Sequence, residues 1–127
     1  MAPLPPALLY PVYLLVMGGA FACFVRAYRS RKDTRRHMRL ALTGLALDLA
    51  GTLVVLLVHR VLQWPWDYND LEVVHWHRRA AYVSSGLLLL TAFAGWRRLP
   101  WHPWLGRILL PTYAVTLALA LYGYWPY

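Results

Sequence analysis

Residues Met38–Leu62 form the longest apolar run of the chain, MRLALTGLALDLAGTLVVLLVHRVL. A helix of this length is about 37 Å long at 1.5 Å per residue, more than the ~30 Å hydrocarbon core of a bilayer. In lipid, a segment must satisfy its own backbone hydrogen bonds, which favours a helix over other conformations. We therefore expect this stretch to be a transmembrane helix.

Three other apolar runs of similar character occupy Leu8–Val25, Val73–Trp96 and Leu105–Tyr124. The chain of 127 residues is 60% hydrophobic and only 14% charged, which is outside the usual balance of a soluble domain. The first run follows a segment without Lys or Arg, so we interpret it as a mature helix instead of a signal peptide. The sequence predicts one integral membrane domain over 1–127, an all-α transmembrane four-helix antiparallel bundle with helices at about 8–26, 38–62, 73–96 and 105–124.

The net charge of +8 is concentrated in two of the three connections between these runs. Basic residues cluster around the first connection and the third connection: Arg26, Arg29, Arg31, Lys32, Arg35, Arg36 and Arg39, then Arg97, Arg98 and Arg107. The positive-inside rule places these connections in the cytoplasm and both termini outside a bacterial cytoplasmic membrane. Anionic headgroups of membrane lipids are the expected partners of such charges, and we reject a nucleic-acid surface.

An ionisable residue, Asp48, lies near the middle of the apolar run Met38–Leu62. Such a group is costly in hydrocarbon and usually faces the protein interior. Its stripe contains small residues such as Gly44 and Gly51, which predicts close approach of another helix. Two interpretations stay open. Asp48 hydrogen-bonds Ser84, Ser85 or a tyrosine, or it acts as a proton relay or a counter-charge for Arg79.

The five histidines sort by depth into an outer group and an inner pair. His37 and His59 are 22 residues apart, or ~33 Å along a helix, and must lie at opposite membrane boundaries. His102 shares the inner boundary with His37, while His75 and His77 share the outer boundary with His59. Imidazole is the commonest metal ligand and also an axial ligand of haem iron. Hydrogen bonding to headgroups, water and loops is the alternative role for each of these side chains.

Within the outer group, His75 and His77 point about 160° apart on a regular helix. We expect His75 to join His59 in a haem or metal site, because His75, Arg79, Tyr82 and Gly86 form one stripe. His77 and Arg79 are further functional candidates. No phosphate loop, nucleophile elbow or CxxCH motif occurs, so the sequence favours a binding role over an enzyme.

These spacings resemble the CtaM/YozB-like family of small bacterial membrane proteins. The first matching feature is the interval of 22 residues from His37 to His59. The second is the histidine that opens the next helix, in the segment VVHWHRR, and the third is a final histidine that is followed by an arginine and a proline. The matching residues after helix two are His75, His102, Arg107, Pro111 and Tyr124.

The resemblance implies a role in assembling a haem–copper cytochrome oxidase, with a terminal oxidase or similar complex as partner. It marks His37, His59, His75 and His102 as residues that handle haem or copper. Two alternatives remain beside it. One is a b-type haem protein that transfers electrons, and the other is a non-catalytic accessory subunit of a membrane respiratory complex.

Overall fold

Four long helices form the described part of the chain, residues 6–61 and 71–124 of a computed structural model. They are α1 (Pro6–Arg29), α2 (Thr34–Arg60), α3 (Leu71–Trp96) and α4 (His102–Tyr124), and no strand occurs within these ranges. The prediction of an all-α four-helix bundle is confirmed.

All four helices begin two to four residues earlier than predicted, and in α2 and α4 the earlier start adds a histidine to the first turn. Asp33 is the N-cap of α2, and its side chain accepts a hydrogen bond from the backbone N–H of Arg36. This cap satisfies an otherwise unpaired donor, so α2 begins at Thr34 and includes His37. Helix α4 begins at His102, and Pro103 is tolerated in its first turn because no helical N–H is needed there.

The helices are arranged as two antiparallel hairpins joined through α1 and α4. Helix α1 packs against α2, α3 packs against α4, and α1 also packs against α4. Helices α2 and α3 do not pack closely against one another along their described residues. The predicted pairing of His59 with His75 requires α2 and α3 to be close neighbours, but a cleft separates these two helices.

Small residues in α2 explain its tight packing on α1. A Cβ atom on Gly44 would lie 2.7 Å from Cε1 of Phe24, and one on Gly51 would lie 2.8 Å from Sδ of Met17. The prediction that this stripe admits another helix is confirmed, and α1 is that helix. The buried core continues from this contact to α3 and α4 through Ala20, Leu88, Leu109 and Tyr113.

Three of the helices, α1, α2 and α4, are long and apolar enough to cross a membrane. Helix α3 carries polar residues from its first turn to just past its middle, among them Arg78, Arg79, Ser84 and Ser85. Many large apolar side chains are exposed on the outside of the bundle, including Leu15, Leu53 and Leu89. A broad apolar surface of this kind is what a lipid environment requires.

Candidate functional site

Two histidines from different hairpins meet at the end of the bundle that carries the basic connections. His37 lies in the first turn of α2, and His102 is the first residue of α4. Their ring centroids are 5.9 Å apart, and the ring planes are at 84°. Both side chains are half-buried. The structure thus brings together the two residues that the sequence places at one depth.

Each ring of this pair is oriented by a hydrogen bond to a backbone carbonyl. The Nδ1 atom of His37 lies 2.8 Å from the Ala27 oxygen, and that of His102 lies 2.9 Å from the Thr91 oxygen. A carbonyl only accepts, so Nδ1 carries the proton, and in a neutral imidazole Nε2 then keeps a lone pair. Metal-binding histidines typically have this arrangement, in which an outer hydrogen bond fixes the tautomer and the ring orientation.

The ring of His102 rests against a glycine of α3. A Cβ atom on Gly95 would lie 2.9 Å from Cε1 and 3.1 Å from Nδ1 of that ring. The chain reverses just after this glycine, with Arg98 at a left-handed φ of 53° and the Leu99 N–H donating to the Ala94 carbonyl. This turn carries His102 back over Gly95, so a glycine is needed at position 95 for the ring to occupy its place.

The two imidazoles lie at the end of the bundle where most of the basic residues are found. Exposed cations surround them on both neighbouring connections and the adjoining helix ends: Arg26, Arg29, Arg31, Lys32, Arg35, Arg36, Arg39, Arg97, Arg98 and Arg107. No group of three or more His, Cys, Asp or Glu side chains within residues 6–61 and 71–124 could hold a metal ion. The donor set available at this end is therefore the histidine pair alone.

The outer histidines are arranged differently from the prediction. His75 is exposed, and so are the other residues of its stripe, Arg79, Tyr82 and Gly86. Of these four residues only Tyr82 lines the cavity that lies between α2 and α3. His77 is only 8% exposed, and its Nδ1 lies 3.0 Å from the Thr116 oxygen of α4. The cavity therefore brings His59 together with His77 and not with His75, and α3 turns the face with His77 and Ser84 towards α4.

Arg79 does not serve as the predicted counter-charge for Asp48. Its guanidinium carbon lies 5.0 Å from the centre of the Trp76 ring, on the exposed side of α3. Asp48 is instead bound by Tyr113, whose hydroxyl donates to Oδ1 over 2.6 Å. The alternative of a hydrogen bond from Asp48 to a tyrosine is confirmed.

The cleft between α2 and α3 contains a cavity of about 360 Å³. All four helices contribute to its walls. Polar lining residues are Tyr10, Tyr13, Asp48, Thr52, His59, Arg60, His77, Arg78, Tyr82, Ser84, Ser85, Tyr113 and Thr116, and apolar ones are Met17, Val55, Leu56, Ala81 and Leu117. His59 and His77 line the same cavity, whereas the inner pair lies at the opposite end of the bundle.

Sequence reasoning missed the roles of Tyr113, Thr116 and Gly95. Thr116 accepts from His77 through its carbonyl and shares a 2.7 Å hydrogen bond with Ser84 through its hydroxyl. Tyr113 is one of nine tyrosines, and no local pattern distinguishes it from the others.

Comparison of the chain with models of known families, with curated proteins and with solved structures finds no match.

Proposed function

We propose that this multi-pass membrane protein helps to assemble a haem–copper respiratory oxidase and binds haem or copper through His37 and His102. One observation carries the proposal: two imidazoles from separate hairpins lie 5.9 Å apart, each with Nδ1 bonded to a carbonyl. The family resemblance in the histidine spacing supports the oxidase as the destination. The cytoplasmic membrane of a bacterium is the proposed location.

The separation of the two rings suits a shared metal ion. With metal–nitrogen distances of about 2 Å, the centroids of two imidazoles that hold one ion lie roughly 5–6 Å apart, and the rings of His37 and His102 are 5.9 Å apart. The hydrogen bonds to Ala27 and Thr91 hold the rings before any ligand arrives. Preorganisation of this kind lowers the entropy that binding must overcome.

Haem iron and copper need different numbers of ligands from the protein, so two imidazoles meet these needs to different degrees. His37 and His102 would supply both protein ligands of a haem iron, and the arginines of the adjoining connections would attract the haem propionates. A copper ion held by these two imidazoles would keep open coordination positions, which a partner protein would fill during transfer. Both cases fit a protein that holds a cofactor on its way to an oxidase.

The proposed topology follows from the distribution of charge. The histidine pair lies among the basic connections, which the positive-inside rule assigns to the cytoplasm. In this orientation all four helices cross the membrane, both chain ends are outside, and the cavity lined by His59 and Arg60 lies in the outer half.

The proposal is tested by titrating purified protein with haem and, separately, with Cu(I) in competition with a chelator. We expect a shifted Soret band or a stoichiometric copper complex in the wild type. His37→Ala and His102→Ala should each weaken binding at least tenfold. His75→Ala is the matched control, because this histidine is exposed at the other end of the bundle. Wild-type affinity in both inner variants would overturn the site.

The cellular role is tested in a bacterium whose own copy of the gene has been deleted. The wild-type gene should restore cytochrome oxidase activity and the haem spectrum of the membranes, as should the His75→Ala gene. The His37→Ala and His102→Ala genes should fail although the proteins accumulate to normal levels. Full oxidase activity in the deletion strain itself would reject the assembly role.

A further inference from the structure

The cavity between α2 and α3 is open to the side of the bundle. Its rim includes Leu56, which is half exposed, and Tyr82, which is 80% exposed. Because α2 and α3 do not pack closely in the described part of the chain, these rim residues face the surroundings of the bundle. In a membrane, those surroundings are lipid, so a lipid-soluble molecule can enter the cavity directly.

A buried acid in the wall of this cavity, Asp48, has an unused hydrogen-bonding atom. Asp48 is only 5% exposed, and its one hydrogen bond joins Oδ1 to Tyr113. Among the described residues, no buried side-chain nitrogen or oxygen atom lacks a partner. The Oδ2 atom of Asp48 makes no hydrogen bond and must therefore be accessible from the cavity that the residue lines.

The depth of Asp48 limits the chemistry of the ligand. Asp48 lies eleven residues from His59 along α2, or about 17 Å from the end of the cavity that carries His59 and Arg60. A phospholipid keeps its charged headgroup at the interface, so only its acyl chains would reach Asp48. An acyl chain would cover Oδ2 without giving it a hydrogen bond, which is unfavourable. The ligand that suits this depth has an uncharged polar head and an apolar tail.

We propose that this cavity binds an isoprenoid quinone or quinol, with the head at Asp48 and the tail leaving between α2 and α3. A quinol hydroxyl donates to Oδ2 of the carboxylate, and the protonated acid donates to a quinone carbonyl. Tyr113 holds the other carboxyl oxygen in both cases. The ring of Tyr13 in the wall offers a flat surface to the planar head.

The size of the cavity supports this class of ligand. A volume of about 360 Å³ is within the usual range of small-molecule sites. Most of the wall surface is apolar, although many of the lining side chains carry a polar atom. The site is independent of the histidine pair at the opposite end of the bundle. The proposal concerns binding and requires no electron transfer by the protein.

The test measures binding of decylubiquinone and its quinol to the purified full chain in nanodiscs. Asp48→Leu removes every hydrogen bond at similar size and should weaken binding tenfold or more. Asp48→Asn keeps a donor and an acceptor and should stay within threefold of the wild type. Equal affinity in the wild type and in a folded Asp48→Leu protein would overturn the proposal.

A second pair of variants tests the cavity itself, without touching the buried acid. Ala81 lines the cavity, whereas Ala92 of the same helix is exposed outside it. Ala81→Phe should fill the cavity and reduce decylubiquinone binding tenfold, while Ala92→Phe should leave it unchanged. Equal binding in these two variants would overturn the proposal even if Asp48→Leu does not fold.

Two further measurements distinguish the quinone site from the histidine pair and from a site for anionic lipid. His37→Ala and His102→Ala should bind decylubiquinone like the wild type, so failure of the metal-site proposal leaves this one intact. Cardiolipin is the competing ligand, because Arg60 and Arg78 line the cavity. If cardiolipin binds in a manner sensitive to Arg60→Ala while decylubiquinone does not bind, the cavity is an anionic-lipid site and the quinone proposal is wrong.

Discussion

The Tyr113 hydroxyl of α4 donates a hydrogen bond to Oδ1 of Asp48 in α2 over 2.6 Å, although these two helices share no extended contact. The aromatic ring reaches past α1, where it stacks on Phe21 with a centroid distance of 5.8 Å and meets Phe24 edge to face at 5.5 Å. The bond explains how α2 carries an acid within an apolar run. It also links the two hairpins through their polar atoms.

Tyr113→Phe should lower the free energy of unfolding by about 1–3 kcal/mol, because it leaves a buried carboxyl oxygen without its donor. The ring contacts with Phe21 and Phe24 are kept, so the change reports the hydroxyl alone. Chemical unfolding in detergent micelles measures the effect. Tyr82→Phe is the control at an exposed position and should stay within about 0.5 kcal/mol of the wild type. Equal stability of both variants would show that the bond contributes nothing.

Gly95→Ala should weaken haem or copper binding, because the new Cβ would displace the ring of His102. We expect a loss of about tenfold, as for other changes that misorient a ligand without removing it. Gly86→Ala is the matched control on the same helix, since a Cβ there meets nothing within 4 Å. The control should keep full affinity and gain up to about 1 kcal/mol from helix propensity. Unaltered affinity in Gly95→Ala would mean that the ring position is unimportant.

Gly44→Ala should destabilise the α1–α2 contact by about 1–3 kcal/mol through overpacking. The added Cβ would lie 2.9 Å from Cδ1 of Phe24 and 3.1 Å from the carbonyl oxygen of Ala20. The backbone oxygen cannot move aside as a side chain does, so the helices must separate. Gly18→Ala in α1 meets nothing within 4 Å and should be neutral or stabilising. Thermal unfolding of the two proteins compares them, and a Gly44→Ala protein as stable as Gly18→Ala would contradict the close packing.

Cysteine labelling in intact cells should establish the proposed orientation. In a Cys23→Ser background, a membrane-impermeant maleimide should label His75→Cys from outside. It should label Lys32→Cys only after the cells are broken. Both positions are exposed, so the comparison reports the side of the membrane and not burial. The opposite labelling pattern would invert the topology and place the histidine pair outside.

The sequence predicted a common depth for His37 and His102, because position along a helix follows from residue count. The contact between their rings comes from the packing of the two hairpins. Pairing at the outer boundary depended on the rotation of α3 about its axis. The stripe containing His75 and the face containing His77 were both plausible, and the interior contacts of α3 with α4 favour His77.

The number of helices, their approximate positions and the order of their polar residues along the bundle could be predicted from the sequence, because each follows from run length and rise per residue. Three features could be known only from the tertiary structure. They are the face of α3 that points inward, the cleft between α2 and α3, and the hydrogen bond between Tyr113 and Asp48. The physical reason is that lipid and protein interior are both apolar. The contrast in hydrophobicity that marks the buried face of a helix in water is therefore weak here, and close packing selects the face instead.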